Sequence, residues 1–251
     1  MRLLCHTFPT PAEDLALEEA LQLSVEEQLC PNTWRVWQAA APAIILGTGQ
    51  EAAREVNLEA AKNDGVAIIR RHSGGGAVVI GPGIINFSAF YVMADLPGSE
   101  TIKGAMAAVL APVMRVLASW GLESQMAGLS DLVVLNGGTL RKIGGNAQAR
   151  KRRSVAVHGT LLADPDWERI ARLLPFPSAA PDYRAGREHR AFLSSLRECG
   201  APYDLESFAK GLVLALQSDI NKASEPLAQE RARAEQLWTE KYNSAEWNFR
   251  R

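Results

Sequence analysis

Three stretches of this 251-residue sequence combine residue types that could do chemistry. The first is Arg70-Arg71-His72-Ser73-Gly74-Gly75-Gly76-Ala77-Val78-Val79. Three consecutive glycines leave backbone N–H groups uncovered and let a ligand approach the main chain, while two adjacent arginines add charge that ordinary pH does not remove. That combination suits an anionic guest, a phosphate or a carboxylate. A glycine-rich hairpin turn with solvent-facing arginines is the plainer reading of the same residues. The second stretch joins Gly128-Leu129-Ser130-Asp131 to Arg141-Lys142-Ile143-Gly144-Gly145-Asn146-Ala147-Gln148. Lys142, between strand residues and just before two glycines, can bring a compact ammonium against a ligand held on bare backbone, or it can guard a sheet edge. In the third, Val157-His158-Gly159-Thr160, the histidine is either a titrating group or a hydrogen-bonded core residue. A fourth cluster, Pro181-Asp182-Tyr183-Arg184 with Arg187, His189 and Arg190, is a basic segment with one aromatic: a solvated loop or a partner contact.

These groups need elements to hold them. Residues 9–29 read as an amphipathic helix, with Leu15, Leu17, Leu21 and Val25 on one face and Glu18, Glu19, Gln22 and Glu26 expected to face water. Residues 33–37 and 43–46 read as strands, and 50–63 as a turn and a helix. The segment 66–91 reads as three short antiparallel strands punctuated by the glycine triplet and a Gly-Pro-Gly turn. Residues 102–120 form a second helix that Gly121 ends and Pro112 is placed to kink. Asn136-Gly137-Gly138 predicts a hairpin between 131–135 and 139–143, since those residues accept positive φ cheaply. A strand over 154–163, a helix near 166–174, a Pro-rich surface loop, and helices over 205–220 and 227–242 complete the chain. Hairpins interleaved with helices that are not all crossovers indicate an α+β fold with a mixed, largely antiparallel sheet.

Composition narrows the classes. The chain carries 27 Lys plus Arg against 28 Asp plus Glu, a formal charge of -1, so no overall basic field exists to draw nucleic acid or anionic membrane. Hydrophobic residues make up 47%, the range of a folded, water-soluble protein, and the length suits one domain over 1–251. Cys5, Cys30 and Cys199 form no CxxC pair, and their odd number argues against a disulfide framework, which fits a reducing, cytoplasmic location. Neither a signal peptide nor an uninterrupted apolar run of about 20 residues is evident. The dinucleotide, P-loop, zinc-protease and nucleophile-elbow patterns are all missing.

Taken in order, RRHSGGGAVVIGPGIINFS, GLSDLVV, RKIGGNAQ and HGTLL resemble the catalytic domain of the lipoate-protein ligase A family, within the wider group of lipoate ligases, octanoyltransferases and biotin ligases. The resemblance extends from DLALEEAL through LGTGQ and PDYRAGREHRAF to KYNSAEWN, nearly the whole chain. It implies a central mixed sheet flanked by helices, of the type shared with biotin ligases and class II aminoacyl-tRNA synthetases. It also implies that Lys142 lies near both an acyl carboxylate and the α-phosphate. Arg71 and the stretch Gly76, Ala77, Val78 and Val79 match nucleotide-binding positions; Arg70, Ser73 and Gly75 match the acyl site; Asp131 and His158 match polar positions near the adenylate. The implied reaction joins lipoate to MgATP as lipoyl-adenylate and passes the lipoyl group to a lysine of a lipoyl-domain or glycine-cleavage-H-like carrier, with no resident metal.

Three features separate this chain from parts of that group. Related octanoyltransferases use a cysteine thioester, but no cysteine lies between Gly83 and His158, which favours ATP-driven ligation. The chain stops at Arg251, about where the catalytic domain ends, so no C-terminal accessory domain is expected, and either a separate accessory subunit serves activation or this is a small-domain variant that does without one. The segment VVIGPGIINFS departs from the commoner histidine-aspartate version. An ATP-independent transferase using an acylated protein donor and a non-catalytic carrier-binding protein are the alternatives.

Overall fold

The Asn136-Gly137-Gly138 turn forms as expected, with Gly137 and Gly138 at φ +57 and +74, and the hairpin it closes belongs to a much larger sheet. The computed structural model describes residues 1–216 and 220–250. In chain order the first elements are β1 (Arg2–Leu4), α1 (Pro11–Glu26), β2 (Thr33–Trp37), β3 (Ala43–Leu46), α2 (Ala52–Glu55), α3 (Leu58–Asn63), β4 (Ala67–Arg70) and β5 (Val78–Ile80). Then come β6 (Ile84–Val92), α4 (Ile102–Ser119), β7 (Ser124–Ala127), β8 (Asp131–Asn136), β9 (Thr139–Arg150) and β10 (Ser154–Leu162). The chain closes with α5 (Trp167–Leu173), α6 (His189–Phe192), α7 (Leu205–Leu216), β11 (Asn221–Ala223), α8 (Ala228–Leu237) and α9 (Ala245–Asn248). The expected helix over 205–220 is described to Leu216, and residues 217–219 lie outside the described residues.

The large sheet has the order β11-β1-β2-β6-β10-β9-β8-β7, parallel at β11-β1-β2 and antiparallel from β2 onward. This is the expected α+β class with a mixed sheet. One face of the sheet, with Val36, Ile85, Phe87, Val157 and Leu161, buries against α4 and α7 through Val109, Val113, Leu117, Phe208 and Leu212. The helix α4 is long and apolar enough by composition to cross a membrane, but its apolar stripe is buried in this core. It runs unbroken through Pro112. The opposite face carries α1 and α8 at one end and, at the other, a second sheet of β4-β3-β5 with α5 and α6. A cleft lies between these two groups.

Two sequence expectations change. Residues 66–91 do not form an antiparallel meander: β4 pairs parallel with β3, β5 pairs antiparallel with β3, and β6 joins the large sheet. The turn from 71 to 77 therefore straddles β3 rather than closing a hairpin, and the Arg71 guanidinium gathers its carbonyls. Second, the polar face of α1 does not face water. Glu18, Glu19 and Gln22 are buried. The Arg35 guanidinium on β2 pairs with Asp14 and with Glu18 at 2.9 Å, and Ser88 donates to Glu18. Glu19 accepts from Lys241 at 2.6 Å and from the Tyr242 hydroxyl at 2.7 Å, and Gln22 meets His72 at 2.9 Å. A helix with partners on both sides buries both faces, and buried charges persist only because each has a counter-charge. Thr10 and Glu13 cap the N-terminus reciprocally and Pro11 occupies the first turn, so the helix starts two residues later than expected.

Candidate active site

The cleft floor is a row of registered residues that crosses five strands: Asp131 on β8, Gly145 on β9, Thr160 on β10, Asn86 on β6 and Trp37 on β2. Residues in one row share a face, and at about 4.8 Å between strands the row spans ~19 Å. All five line a cavity of about 640 Å³. The neighbouring row, Ala147, His158, Ser88 and Arg35, contributes His158 and Ser88 to the same wall. Gly75 to Ile80 and Ile45 form the roof, Leu15 and Glu18 of α1 close the end beside Trp37, and residues 174–182 form a strap on the other side.

A bulge puts Lys142 into this cleft. Along a regular strand, Lys142 and Gly145 would point to opposite faces. Here Val133 pairs with Lys142 and Leu132 with Gly144, so Ile143 and Gly144 both stand against Leu132. The extra residue turns Lys142 onto the face of Asp131 and Gly145. Its ammonium lies 2.7 Å from Asp131 Oδ1. A Cβ at Gly145 would sit 2.9 Å from Lys142 Nζ, so the glycine leaves the space the ammonium occupies. From there to Trp37 is three strand spacings, about 14 Å, enough for a medium-length acyl chain lying across the strands.

The glycine turn is held from inside. Arg71 is buried, and its guanidinium donates to the carbonyls of Gly74 at 2.5 Å and Gly76 at 2.9 Å. Burial pushes the Arg71 guanidinium down to about 10, which leaves it charged at neutral pH. Gly75 has φ +91, a conformation that a side chain disfavours. Gly47 fits against it because a Cβ there would fall 2.0 Å from the Gly75 carbonyl oxygen. Arg71 Nε also donates to Ser73 Oγ at 3.0 Å, so the hydroxyl proton is free to go to His158 Nε2, 2.6 Å away. That relay assigns His158 as neutral with its proton on Nδ1. Burial, with Arg71 and His72 nearby, holds its pKa well below 6.5.

A pH prediction follows from His158. The unfolded chain takes up a proton near pH 6.5 that the folded chain refuses, so this residue's contribution to stability is lost as pH falls below that value. Denaturant titrations at pH 6.5 and 5.5 should show the wild type losing about 1 kcal/mol more than His158→Gln over that unit. Equal losses would mean that His158 protonates readily in the folded protein.

The structure brings Arg71, Gly75, Gly76, Ala77, Val78, Val79, Asp131, Lys142 and His158 to the cleft wall. It does not bring Arg70. That side chain is fully buried on the far side of β4, where its guanidinium donates to the carbonyls of Gly47 at 2.9 Å, Gln50 at 2.6 Å, Asn248 at 3.1 Å and Arg250 at 3.1 Å. Adjacent strand residues point to opposite faces, so of the arginine pair one holds the C-terminal turn and the other the glycine turn. Ser73 lies beneath the wall, behind His158. The sequence gives Trp37 no motif, and it assigns no site role to Glu18, Asn86 or Thr160, although they lie within DLALEEAL, IINFS and HGTLL. Tyr183, which the sequence offers as part of a solvated loop or a partner contact, instead turns inward, and its hydroxyl donates to Asp131 Oδ2 at 2.7 Å. The Pro and Ala residues of 175–181 give the cleft wall small side chains there, with Phe176 outside the cleft lining.

Residues 10–217 match the lipoyl protein ligase A/B catalytic domain. The chain belongs to that family. This domain spans the cleft, the glycine turn and Lys142, and it places the protein in the superfamily of lipoate ligases and octanoyltransferases. Similar proteins include the octanoyltransferase LipM of Geobacillus kaustophilus, 27% identical over 96% of this chain and 95% of the relative. The LipM of Kyrpidia tusciae is 29% identical over 99% of this chain and 98% of the relative. Among solved structures, a bipartite lipoate protein ligase of Thermoplasma acidophilum, studied with its E2 lipoyl domain, superposes with a TM-score of 0.83. It is 23% identical, over 99% of this chain and 95% of that one. A lipoate-protein ligase A bound with ATP gives 0.82 at 23% identity, over 99% and 98%. These likenesses establish the lipoyl protein ligase A/B fold across the chain.

Proposed function

We propose that this family member is an ATP-dependent lipoate-protein ligase. The observation that carries the reading is the position of the Lys142 ammonium, over Gly145, where the cross-strand groove meets the glycine turn. An acyl chain with its tail toward Trp37 has its carboxylate at Lys142, and the uncovered N–H groups of the glycine turn, with the Arg71 charge behind them, suit phosphate. In the first step a carboxylate oxygen attacks the α-phosphorus and pyrophosphate leaves. Lys142 offsets the charge that grows on the phosphorus oxygens, and the groove holds the reactants in line. In the second step the carrier lysine's nitrogen attacks the acyl carbon, AMP leaves with the carbon–oxygen electron pair, and the amine gives up a proton.

Magnesium fits this reading as part of the MgATP substrate. Among the described residues no cluster of three His, Cys, Asp or Glu side chains is arranged to hold a metal, and the Glu18 and Asp131 carboxylates already have cationic partners. Nucleotide magnesium is held largely by phosphate oxygens and water, with one or two carboxylates in addition. The carrier is a lipoyl domain in this reading, and the bipartite Thermoplasma ligase supports assays with and without a second polypeptide.

The LipM relatives favour a second reading, acyl transfer from an acylated protein through a cysteine thioester. The cysteines weigh against it. Cys5, Cys30 and Cys199 are all outside the cleft lining. Burial raises all three thiols, Cys30 to about 12, and a raised thiol is a poor nucleophile at neutral pH. Intact-mass analysis of a lipoyl domain incubated with the protein and lipoate, with and without MgATP, tests the choice. A lipoyl mass gain only with MgATP, kept within about twofold when all three cysteines become Ser, is the expected result, since substitutions remote from a site seldom alter it much. Modification from an acylated donor without nucleotide, abolished by one Cys→Ser change, would establish the transferase instead.

A further inference from the structure

The strap and the lysine are tied together. Asp131 is buried and receives two donors, the Lys142 ammonium on Oδ1 and the Tyr183 hydroxyl on Oδ2, each at 2.7 Å. Tyr183 sits in a short 3-10 turn, Asp182–Arg184, in the segment that reads as a surface loop. The segment is anchored at Lys142 itself and two residues before it. Arg187 donates to Leu140 O at 2.9 Å and to Tyr183 O at 2.8 Å, and the Ser194 amide donates to Lys142 O at 2.9 Å. The Tyr183 ring packs on Phe192 at 5.3 Å between centroids, and the Arg184 guanidinium lies between Phe176 and Phe192 at 4.4 and 4.9 Å. The hydroxyl is thus delivered to Asp131 by a braced element.

We propose that Tyr183 is a positioning residue for Lys142: by donating to the second oxygen of Asp131 it lets that carboxylate orient the ammonium over Gly145 without capturing it. This rests on the ligase reading of Lys142. A buried carboxylate with a single donor concentrates its charge on that donor, and a charge-assisted bond of that kind strengthens at the expense of any competing anion. With Tyr183 on the other oxygen, the ammonium is shared more easily with an incoming carboxylate or phosphate. Burial and the Asp131 charge both raise the tyrosine phenol, so it stays a proton donor at physiological pH. The acyl tail end of the groove, three strands away, is untouched.

The test is a double-mutant cycle read by ATP–pyrophosphate exchange with lipoate. Tyr183→Phe keeps the ring and removes only the hydroxyl. It should lower the kcat of exchange about tenfold, as sub-ångström misplacement of a reacting group does, with the KM for lipoate within about twofold, measured well below an unfolding midpoint that the loss of a donor to buried Asp131 lowers. In an Asp131→Asn background the same change should have less than about twofold effect, because the residues act as one unit. A wild-type rate in Tyr183→Phe, or an equal loss in both backgrounds, would overturn the proposal. A second readout needs no catalysis. Acetylation of Lys142 by acetic anhydride, followed by peptide mass spectrometry, should slow about threefold in Tyr183→Phe as Asp131 tightens its hold. Unchanged acetylation overturns the positioning role. An active Lys142→Ala enzyme would instead sink the ligase reading, leaving the acetylation result to judge Tyr183.

Discussion

Lys142→Ala should reduce acyl-adenylate formation by about a hundred- to a thousandfold, the scale on which removal of a preorganised charge or donor at a reacting oxygen acts. The ammonium is held at one point by Asp131 and by the empty space at Gly145, so no reorganisation is needed when charge develops beside it. A solvated strand lysine would cost at most ~0.5 kcal/mol of stability on truncation. This one leaves Asp131 with Tyr183 as its remaining described side-chain partner, and about 1–3 kcal/mol is expected for a buried acceptor that loses a donor. Activity must therefore be measured well below the unfolding midpoint of the variant. Pyrophosphate exchange reads the chemical step, and calorimetric titration with lipoate reads binding. A loss of exchange much larger than the loss of lipoate affinity is the expected pair of results, since the carboxylate loses its counter-ion while the groove toward Trp37 is intact. Normal exchange in Lys142→Ala would remove the ligase assignment.

Gly75→Val should cost more than about a hundredfold in affinity for lipoate. The position has φ +91, where a branched side chain carries roughly 1–3 kcal/mol of backbone strain. Its Cβ would also lie 2.8 Å from Arg71 Nη2 and 3.4 Å from the Ala147 Cβ. That guanidinium nitrogen holds the Gly74 and Gly76 carbonyls, so displacing it opens the whole turn over the cleft. Gly49→Ala is the matched control: a Cβ there meets nothing within 4 Å, and unchanged affinity is expected. Isothermal titration with lipoate checks both, and wild-type affinity in Gly75→Val would place the acyl groove elsewhere.

The elements carried by strong local signals were legible in the sequence. The Asn136-Gly137-Gly138 hairpin, the strands at 33–37 and 154–162, and the helix at 102–119 follow from turn chemistry and periodicity. The glycine turn, Lys142, Asp131 and His158 were also legible as candidates, because glycine runs and charges set between apolar strand residues are local patterns. Their likeness to the family implies roles that spacing alone left open.

The sequence by itself marked the longer strands and helices and the residues that could bind an anion, since propensity, capping and glycine's freedom act over a few neighbours, whereas the short strands at 2–4, 124–127 and 221–223 carry no such signal and form by pairing at the sheet. Tertiary structure decided where those groups point. Adjacent Arg70 and Arg71 diverge to opposite sides of β4, and a one-residue bulge turns Lys142 toward Gly145 against the period-two expectation. Glu18, Glu19 and Gln22 read as a wet helix face until Arg35, Tyr242 and His72 arrive from elsewhere in the chain to pair with them. Tyr183 meets Asp131 across 52 residues of sequence. Pairing of that kind depends on register and layer packing, which local residue preferences do not encode.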